Sequence, residues 1–495
     1  MLFNSYVFLF GFLPPTVLVF FLLGRWSHDY ARLWLGLASL AFYAWWSLDY
    51  VWLIVVSILF NYCTGLAIDA YRIAAKARAA KFALVAGIAG NLALLGYYKY
   101  ADFFIGSVSA LTGADWSLIH LILPLGISFY TFTQIAYLVD TAEGKAQQFG
   151  FFNYLLFVTY FPHLLAGPII HHKSVMPQFQ AASTFRPSAP NIAVGLTIFA
   201  IGLAKKVLLA DALIDGVHPV FSGAQAPLLY DAWAGTLAYT LQLYFDFSGY
   251  CDMAIGLSLI FGVRLPLNFN SPYKAVSIID FWRRWHMTLS TFLRDYLYIP
   301  LGGNRKGPTR RYINLYLTML LGGLWHGAGW TFVIWGALHG GYLIVNHAWR
   351  AVFPDETPSV WKRCAYGALT FLAVAIAWVF FRAPDFATAM SILAGLCGMH
   401  GVSLNGSFTA TGLDRDILWK IVVGLLIVFL LPNSQEIVGF SREASPQTSG
   451  GAFFSLSRRA LAWTATPQAG VLFGLLFFVC LLKLRQVSEF IYYQF

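Results

Sequence analysis

The chain has 495 residues, of which 59% are hydrophobic and only 11% are charged, and its formal net charge is +10. A soluble globular domain carries about a quarter charged residues, so this composition excludes an ordinary soluble protein. The mean hydropathy of +0.65 indicates an all-α protein that crosses a membrane many times.

Apolar segments of spanning length recur along the whole chain. Each approaches the ~20 residues that cross about 30 Å of hydrocarbon. Clear examples are 6–23, 51–67, 82–98, 118–138, 192–213, 365–381, 417–431 and 469–482. With weaker segments they predict roughly 10 to 12 transmembrane helices. No repeat and no soluble module is evident, so we expect 1–495 to form a single membrane domain.

The N-terminal part of the chain suggests its orientation in the membrane. The first apolar segment lacks a basic leading region and a small-residue cleavage site, which favours a retained helix over a signal peptide. The basic loop RIAAKARAAK at 72–81 follows a hairpin of two spans. The positive-inside rule places this loop in the cytoplasm and the N-terminus outside.

Two later stretches combine apolar sequence with helix breakers or acids. The prolines and glycine of FPHLLAGPII at 161–170 predict a re-entrant loop. In YFDFSGYCDMAIG at 244–256, Asp246 and Asp252 stand in membrane-like surroundings. These carboxylates could orient a histidine, line a tunnel or pair with an arginine such as Arg283, and we favour the structural pairing.

Residues 274–311 form a basic cluster with eight basic and two acidic residues, a net charge of +6. Within 280–300, apolar residues recur every three or four positions, which predicts an amphipathic helix at the membrane surface. A turn-rich basic loop follows at LGGNRKGP. An ordinary cytoplasmic loop is the plainer alternative. His286 falls on the apolar stripe, where Ser290 could bond it, and a packing role stays open.

Residues 312–346 contain no Asp, Glu, Lys or Arg, and their centre reads GGLWHGAG. Thirty-five uncharged residues are too many for one upright span, and glycines weaken a helix. We therefore predict a broken helix that places His326 at a polar cavity beside free main-chain N–H groups. A core histidine bonded to a carbonyl is the alternative. His339 and His347 are expected to be structural.

Other features carry less chemistry. The five cysteines show no CxxC or ligand spacing, so neither a disulfide framework nor a metal site follows. Nothing in the chain indicates nucleic-acid binding. The aromatic tail at 488–495, ending in FIYYQF, is typical of an interfacial anchor.

The sequence FWRRWHMTLSTFLRDYLYIPLGGNRKG, followed by LWHGAGWTFVIWGALHG, resembles the membrane-bound O-acyltransferase (MBOAT) family. It is most similar to the bacterial branch that serves polysaccharide O-acetylation and teichoic-acid D-alanylation. The resemblance runs from FNSYVFLFGFLP through FYAWW and FPHLLAGPI to the C-terminus. It implies a ring of helices around a thin, funnelled centre. It also implies that His326 is the active-site histidine and His286 the second signature histidine.

The resemblance further implies acyl transfer from a cytosolic thioester to a hydroxyl on the outer side. Acetyl-CoA is the expected donor and acts as a substrate, with no bound cofactor. The basic residues Arg283, Arg284, Arg305 and Lys306 are candidates for docking the phosphates of CoA or an acidic carrier protein. We expect a bacterial inner-membrane protein with an extracytoplasmic SGNH-type acetyltransferase or acceptor protein as partner.

The tail resembles an F-x-Y-x-x-F motif found in this branch, which makes Tyr492 a candidate acyl relay. A neutral phenol is a poor nucleophile, so it would need a nearby base. Lys483 and Arg485 favour a cytoplasmic C-terminus, whereas a relay requires the outer side or the funnel.

Alternatives remain at the level of function and of substrate. A transporter or channel also has broken helices and buried histidines, and a scaffold would only anchor an extracytoplasmic transferase. Among acyl acceptors, an exopolysaccharide such as alginate ranks first, another secreted polysaccharide second and peptidoglycan third. Teichoic-acid D-alanylation is a further alternative.

Overall fold

The computed structural model describes residues 1–146, 150–354, 359–402, 413, 416–440, 463–484 and 490–491. Of the residues in these ranges, 76% are helical and none lies in a strand. The predicted all-α class is therefore confirmed. Five helical segments in these ranges are long and apolar enough to cross a membrane: Val7–Gly24, Leu48–Ile73, Ala77–Thr112, Ala189–Phe221 and Val360–Arg382.

These five segments coincide with five of the predicted apolar windows, but the window at 118–138 differs from the prediction. Its helix begins only at Ile127, after a non-helical stretch that follows Gly113. Pro124 precedes the helix, and Gly126 at its N-cap adopts φ +72°. The Asp102 carboxylate accepts the N–H groups of Ile119 and His120 at 2.7 and 2.9 Å. Hydrogen bonds to a side chain thus replace those of the expected first helical turns.

The described residues fall into two compact units. The first comprises 1–199 and 253–266, and the second comprises 200–252 and 267–491. The α-helices that lie in the first unit are Leu13–Gly24, His28–Ala44, Val51–Ile73, Ala77–Leu95, Ala101–Thr112, Ile127–Ala142, Phe151–Thr159, Phe161–Leu164 and His172–Gln180. The helix Ala189–Ala204 ends at the start of the second unit.

Close helix contacts hold the first unit together. A Cβ atom on Gly65 would stand 2.7 Å from the Tyr137 ring, and one on Gly87 would stand 2.7 Å from Leu138. Asn61 and Asn91 exchange side-chain hydrogen bonds of 3.1 and 2.6 Å between neighbouring helices. Small residues and buried amide pairs are the usual means by which membrane helices associate.

The segment predicted to be re-entrant is interrupted, while its re-entry into the membrane stays a prediction. Helix Phe161–Leu164 is followed by a non-helical, buried stretch before helix His172–Gln180 begins. The ring of His163 is buried and lies 3.1 Å from the Phe157 carbonyl. A Cβ atom on Gly167 would stand 2.5 Å from the Cα atom of His163, so this turn requires glycine.

The second unit carries most of the histidines and the basic cluster. Its α-helices are Ile214–Phe221, Leu229–Ile260, Ile278–Trp282, Met287–Leu293, Gly307–His326, Trp330–Val352, Val360–Arg382, Phe386–Leu396, Asp416–Leu430, Ser434–Ile437 and Pro467–Lys483. The last eight residues of helix Leu229–Ile260 fall in the first unit. The hairpin of Gly307–His326 and Trp330–Val352 has the most extensive packing between two helices.

Candidate active site

The helix predicted to be broken is interrupted at Gly327–Gly329. Helix Gly307–His326 ends at the histidine, and helix Trp330–Val352 begins directly after the third residue of the break. Gly327 and Gly329 have φ of −157° and −164°, which is extended backbone that any residue can adopt. The predicted interruption of the helix is confirmed. Glycine is not required there by its backbone conformation, because neither residue lies in the left-handed region.

The glycines around His326 provide space for close packing. A Cβ atom on Gly323 would stand 2.3 Å from the Phe332 carbonyl oxygen, and one on Gly336 would stand 2.4 Å from that of Met319. Gly327 lies against the Phe332 ring, where a Cβ atom would stand 2.1 Å from a ring carbon. Gly322 and Gly323 therefore lie inside an intact helix, and Gly323 and Gly336 let the two helices of the hairpin approach each other closely.

His326 lies in a buried aromatic site. Its side chain is only 4% exposed at the C-terminal end of its helix. Its ring centroid lies 4.9 Å from that of Trp325, 5.1 Å from that of Trp335 and 5.2 Å from that of Phe381. These three rings surround a titratable group with apolar surface, which excludes bulk water from it.

Main-chain donors are present at the break beside this ring. The N–H of Gly329 donates to the Gly327 carbonyl at 3.0 Å, so one of the three predicted donors is already used. Within the described ranges, the N–H groups of Gly327 and Ala328 take part in no main-chain hydrogen bond. Stabilisation of a developing negative charge by these two N–H groups stays a prediction.

His286 lies at a second break and not within one continuous amphipathic helix. The predicted helix is divided into Ile278–Trp282 and Met287–Leu293, and His286 between them has φ +44°. The preceding segment causes the division, because Asn270 N–H donates to Arg284 O and Met287 N–H to Asn268 O, both at 3.0 Å. Main-chain bonds to this segment replace helical bonds at the break.

His286 is buried, as its position on the apolar stripe predicts, but its predicted partner Ser290 is wrong. The ring is fully buried, and its Nδ1 lies 3.2 Å from Asn268 Oδ1. Ser290 donates instead to the main-chain oxygen of Trp285 at 3.4 Å. No sequence pattern distinguishes Asn268 from the other polar residues that precede the basic cluster.

Asn268 determines which nitrogen of His286 carries the proton. Its Oδ1 also accepts the main-chain N–H of Thr288 at 3.3 Å and the Thr288 hydroxyl at 2.7 Å. A main-chain N–H can only donate, so this atom of Asn268 is the carbonyl oxygen. His286 Nδ1 must then be the protonated nitrogen, and Nε2 carries the lone pair. Burial lowers the pKa of His286 to about 3, which keeps the ring neutral at physiological pH.

The two signature histidines lie close together in the second unit. The ring centroids of His286 and His326 are 6.3 Å apart. The Trp325 ring lies 6.3 Å from the His286 centroid, and Phe247 of the long helix Leu229–Ile260 contacts His286 edge-on at 4.8 Å. Two breaks that are 40 residues apart in sequence thus bring two imidazole rings close together.

The buried carboxylates of the long helix are structurally paired, as favoured, but with lysines and not with Arg283. Lys205 Nζ lies 2.7 Å from Asp252 Oδ2, and Lys206 Nζ lies 2.8 Å from Asp246 Oδ1. Asp252 also accepts from Ser434 at 2.6 Å and Gln435 at 2.7 Å. The lysines belong to a predicted span, and the pairing explains how this apolar segment tolerates them.

Near its end, the described chain returns to this charged network. The main-chain N–H of Ile491 donates to Asp246 Oδ2 at 2.9 Å. The Phe490 ring packs edge-on against Tyr250 at 4.6 Å and carries Lys206 Nζ 4.8 Å from its centroid. Tyr492, the predicted relay, lies outside the described residues. Asp246 is adjacent in sequence to Phe247, the residue that contacts His286.

The predicted donor-docking residues differ in their availability. Arg283, Arg305 and Lys306 are exposed, and no described carboxylate lies within ion-pair distance of them. Arg284 is half-buried; its Nε lies 2.8 Å from Asp280 Oδ1, and it also donates to the Asn270 carbonyl. Its geometry is that of a structural ion pair. Docking by the other three stays a prediction.

The two remaining histidines of the hairpin occupy structural positions. His339 is fully buried and its Nδ1 accepts from the Trp282 indole at 3.3 Å. His347 Nδ1 lies 2.8 Å from an Arg311 guanidinium nitrogen near the other end of the helix.

Comparison with known proteins identifies the family. The model of the membrane-bound O-acyltransferase family matches residues 141–384, which include His286 and His326. Peptidoglycan O-acetyltransferase of Helicobacter pylori is 45% identical over 82% of this chain and 81% of its own length. Probable alginate O-acetylase AlgI of Pseudomonas putida is 40% identical over the full length of both chains. The chain belongs to the membrane-bound O-acyltransferase family.

A more distant relative of this MBOAT protein is the teichoic acid D-alanyltransferase of Bacillus subtilis, 28% identical over 54% of this chain and 70% of its own length. Membership establishes a multi-pass membrane protein that is an O-acyltransferase. The predicted family and enzyme class are confirmed. The roles of individual residues stay predictions, and the geometry above is what supports them.

Proposed function

We propose that this MBOAT protein transfers an acetyl group from cytosolic acetyl-CoA to a hydroxyl at the outer side of a bacterial inner membrane. The acetyl group then serves the O-acetylation of a secreted polysaccharide, with alginate as the first candidate. The observation that carries the proposal is the buried pair of His286 and His326, whose ring centroids are 6.3 Å apart between two chain breaks.

In the proposed mechanism His326 acts as the general base. It accepts the proton of the acceptor hydroxyl as the hydroxyl oxygen attacks the thioester carbon. The tetrahedral oxyanion then collapses, the carbon–sulfur bond breaks, and the proton is returned to the leaving CoA thiolate. An aromatic, water-poor site suits this role because hydrolysis of the thioester is suppressed there.

Other groups around the site have supporting roles in this mechanism. The N–H groups of Gly327 and Ala328 stabilise the oxyanion. His286 presents Nε2 to the reacting groups, because Asn268 holds the proton on Nδ1. Arg283, Arg305 and Lys306 attract the phosphates of CoA at the cytosolic face.

The C-terminal tail is the proposed route to the acceptor. Ile491, the last described residue before Tyr492, donates its main-chain N–H to Asp246, the neighbour in sequence of Phe247, which contacts His286. Tyr492 would receive the acetyl group as a phenyl ester, with His326 as the base it needs. An extracytoplasmic acetyltransferase of the SGNH type would then take the group from this ester to the polymer.

The polysaccharide is the point on which the relatives differ. Likeness to a probable alginate O-acetylase extends over the whole chain, which favours alginate or a similar exopolysaccharide. Likeness to a peptidoglycan O-acetyltransferase is 45% over most of the chain, and it makes peptidoglycan the second candidate. The two candidates are distinguished by measuring the acetyl esters on alginate and on peptidoglycan in a strain that lacks this protein. Only the polymer that the protein serves should lose its acetyl esters.

The His326→Ala variant, expressed in that strain, tests the function. We expect it to reach the membrane and to leave polymer acetylation at the level of the deletion. His347→Gln is the matched control, since it removes a histidine of the same hairpin at a structural position, and it should restore acetylation. Full acetylation with His326→Ala would refute the proposal and favour a scaffold.

Labelled acetyl-CoA distinguishes transfer from transport. Protein in sealed vesicles should yield labelled protein or labelled acceptor, with release of free CoA. Movement of intact label into the vesicle without a covalent product would indicate a transporter or channel instead.

A further inference from the structure

A cluster of metal-ligating side chains lies in the first unit, among residues that the acyl-transfer mechanism does not use. Asp140 stands near the end of helix Ile127–Ala142, and His171 and His172 stand at the start of helix His172–Gln180. One ligand atom from each of the three residues can be chosen so that all three atoms lie within 4.8 Å of one another.

The geometry is that of a site converging on one carboxylate oxygen. Asp140 Oδ2 lies 3.2 Å from His171 Nε2 and 3.5 Å from His172 Nδ1. Zinc binds imidazole nitrogen and carboxylate oxygen at about 2.0–2.2 Å in a tetrahedral arrangement, which separates neighbouring ligand atoms by about 3.3 Å. The two measured distances match that separation.

His172 provides the second, independent observation. Its side chain is 1% exposed, and its polar contacts with Asp140 and with the main chain of Lys145 do not reach good hydrogen-bond geometry. A buried imidazole without such a bond is costly unless something else satisfies it.

We propose that Asp140, His171 and His172 form a Zn²⁺ site that ties the end of helix Ile127–Ala142 to the start of helix His172–Gln180. Two imidazoles and one carboxylate are the donor set that Zn²⁺ accepts, whereas Mg²⁺ and Ca²⁺ prefer oxygen ligands alone. His171 is about one-third exposed, which opens a path for the ion and leaves a fourth position for water.

The surroundings indicate where the ion comes from and what competes with it. Arg72 lies against Gly144, just beyond this helix end, and Arg72 begins the basic loop predicted to be cytoplasmic. The ion would therefore enter from the cytosol. Lys173 Nζ lies 3.7 Å from the same Asp140 oxygen, so it is a cationic competitor for that carboxylate.

Metal analysis of the full-length protein in detergent tests the proposal. The protein is purified with a tag that lacks histidine, stripped with a chelator, exposed to Zn²⁺ and dialysed. We expect about one zinc ion per chain and a rise in Tm on adding Zn²⁺, because a ligand that binds only the folded state stabilises it. Co²⁺ in place of Zn²⁺ should give the visible absorption of four-coordinate cobalt.

The key variant is His171→Ala, because its partly exposed ring can be removed without opening the core. It should lose the bound zinc and the Zn²⁺-dependent rise in Tm. His163→Gln is the control, since it replaces a buried histidine of the same unit outside the cluster and should keep both. Lys173→Gln should bind zinc at least as well as the wild type.

Two results would overturn the proposal. One is equal zinc content in the wild type and His171→Ala. The other is the absence of zinc from the wild-type protein, together with a lower Tm for Lys173→Gln than for the wild type. That result would mean that the cluster is an ion pair only.

Discussion

Replacement of Asn268 by alanine should damage catalysis through His286 without touching either histidine. The Asn268 oxygen accepts three donors, namely His286 Nδ1, the Thr288 main-chain N–H and the Thr288 hydroxyl. The hydroxyl can rotate to another acceptor, but the other two donors cannot. Each orphaned buried donor costs about 1–3 kcal/mol, so Asn268→Ala should lower the free energy of unfolding by about 2 to 6 kcal/mol.

The catalytic effect follows from the tautomer. Without the Asn268 oxygen, the His286 proton is free to move to Nε2, which removes the lone pair from the reacting side. A positioned acid or base contributes about 10²–10⁴-fold to rate, so kcat should fall by at least about tenfold while KM for acetyl-CoA changes little. The assay is CoA release by purified protein, with Tm measured on the same preparation.

Thr288→Val is the matched control for Asn268→Ala. It removes the hydroxyl donor to the same oxygen and leaves the bond to His286 in place. Its kcat should stay close to that of the wild type. Unchanged kcat in a folded Asn268→Ala protein would refute the tautomer argument. An equal fall in both variants would point to packing around Asn268 and not to the proton on His286.

Further substitutions test the packing of the hairpin and the pairing of the buried charges. Gly336→Ala should force the hairpin helices apart, because its Cβ would stand 2.4 Å from the Met319 carbonyl, and lower stability by about 1–3 kcal/mol. Gly341→Ala, with no atom within 4 Å of its Cβ, should raise stability by up to about 1 kcal/mol, and thermal unfolding compares the two. Asp252→Asn should lower the free energy of unfolding by about 3–5 kcal/mol, because it leaves Lys205 buried without its counter-charge. The double variant Asp252→Asn with Lys205→Met should regain the lost free energy of unfolding. A double variant no more stable than Asp252→Asn would show that the pairing contributes little.

The helical spans could be predicted because hydropathy reports directly on them. Five apolar windows coincide with long apolar helices, and the interruption beside His326 follows from the length of the uncharged stretch. The window at 118–138 was wrong over its first part. Hydropathy does not register that Asp102 captures the main chain of Ile119 and His120.

The histidine pair could be expected from the family resemblance, but its supporting contacts could not. Helical periodicity predicts a continuous helix through His286, whereas main-chain bonds from Asn268 and Asn270 divide it. Those bonds join segments that periodicity treats as independent. The lysine partners of Asp246 and Asp252 were missed for the same reason, since they come from a helix about 40 residues earlier in the chain.

The rate of CoA release by purified His326→Ala, compared with that of His347→Gln, tests the central claim most directly. We predict that His326→Ala, at a Tm close to that of the wild type, loses about 10²-fold or more in kcat, as expected for removal of a general base. His347→Gln should retain the wild-type rate. A folded His326→Ala protein that releases CoA at the wild-type rate would contradict the account.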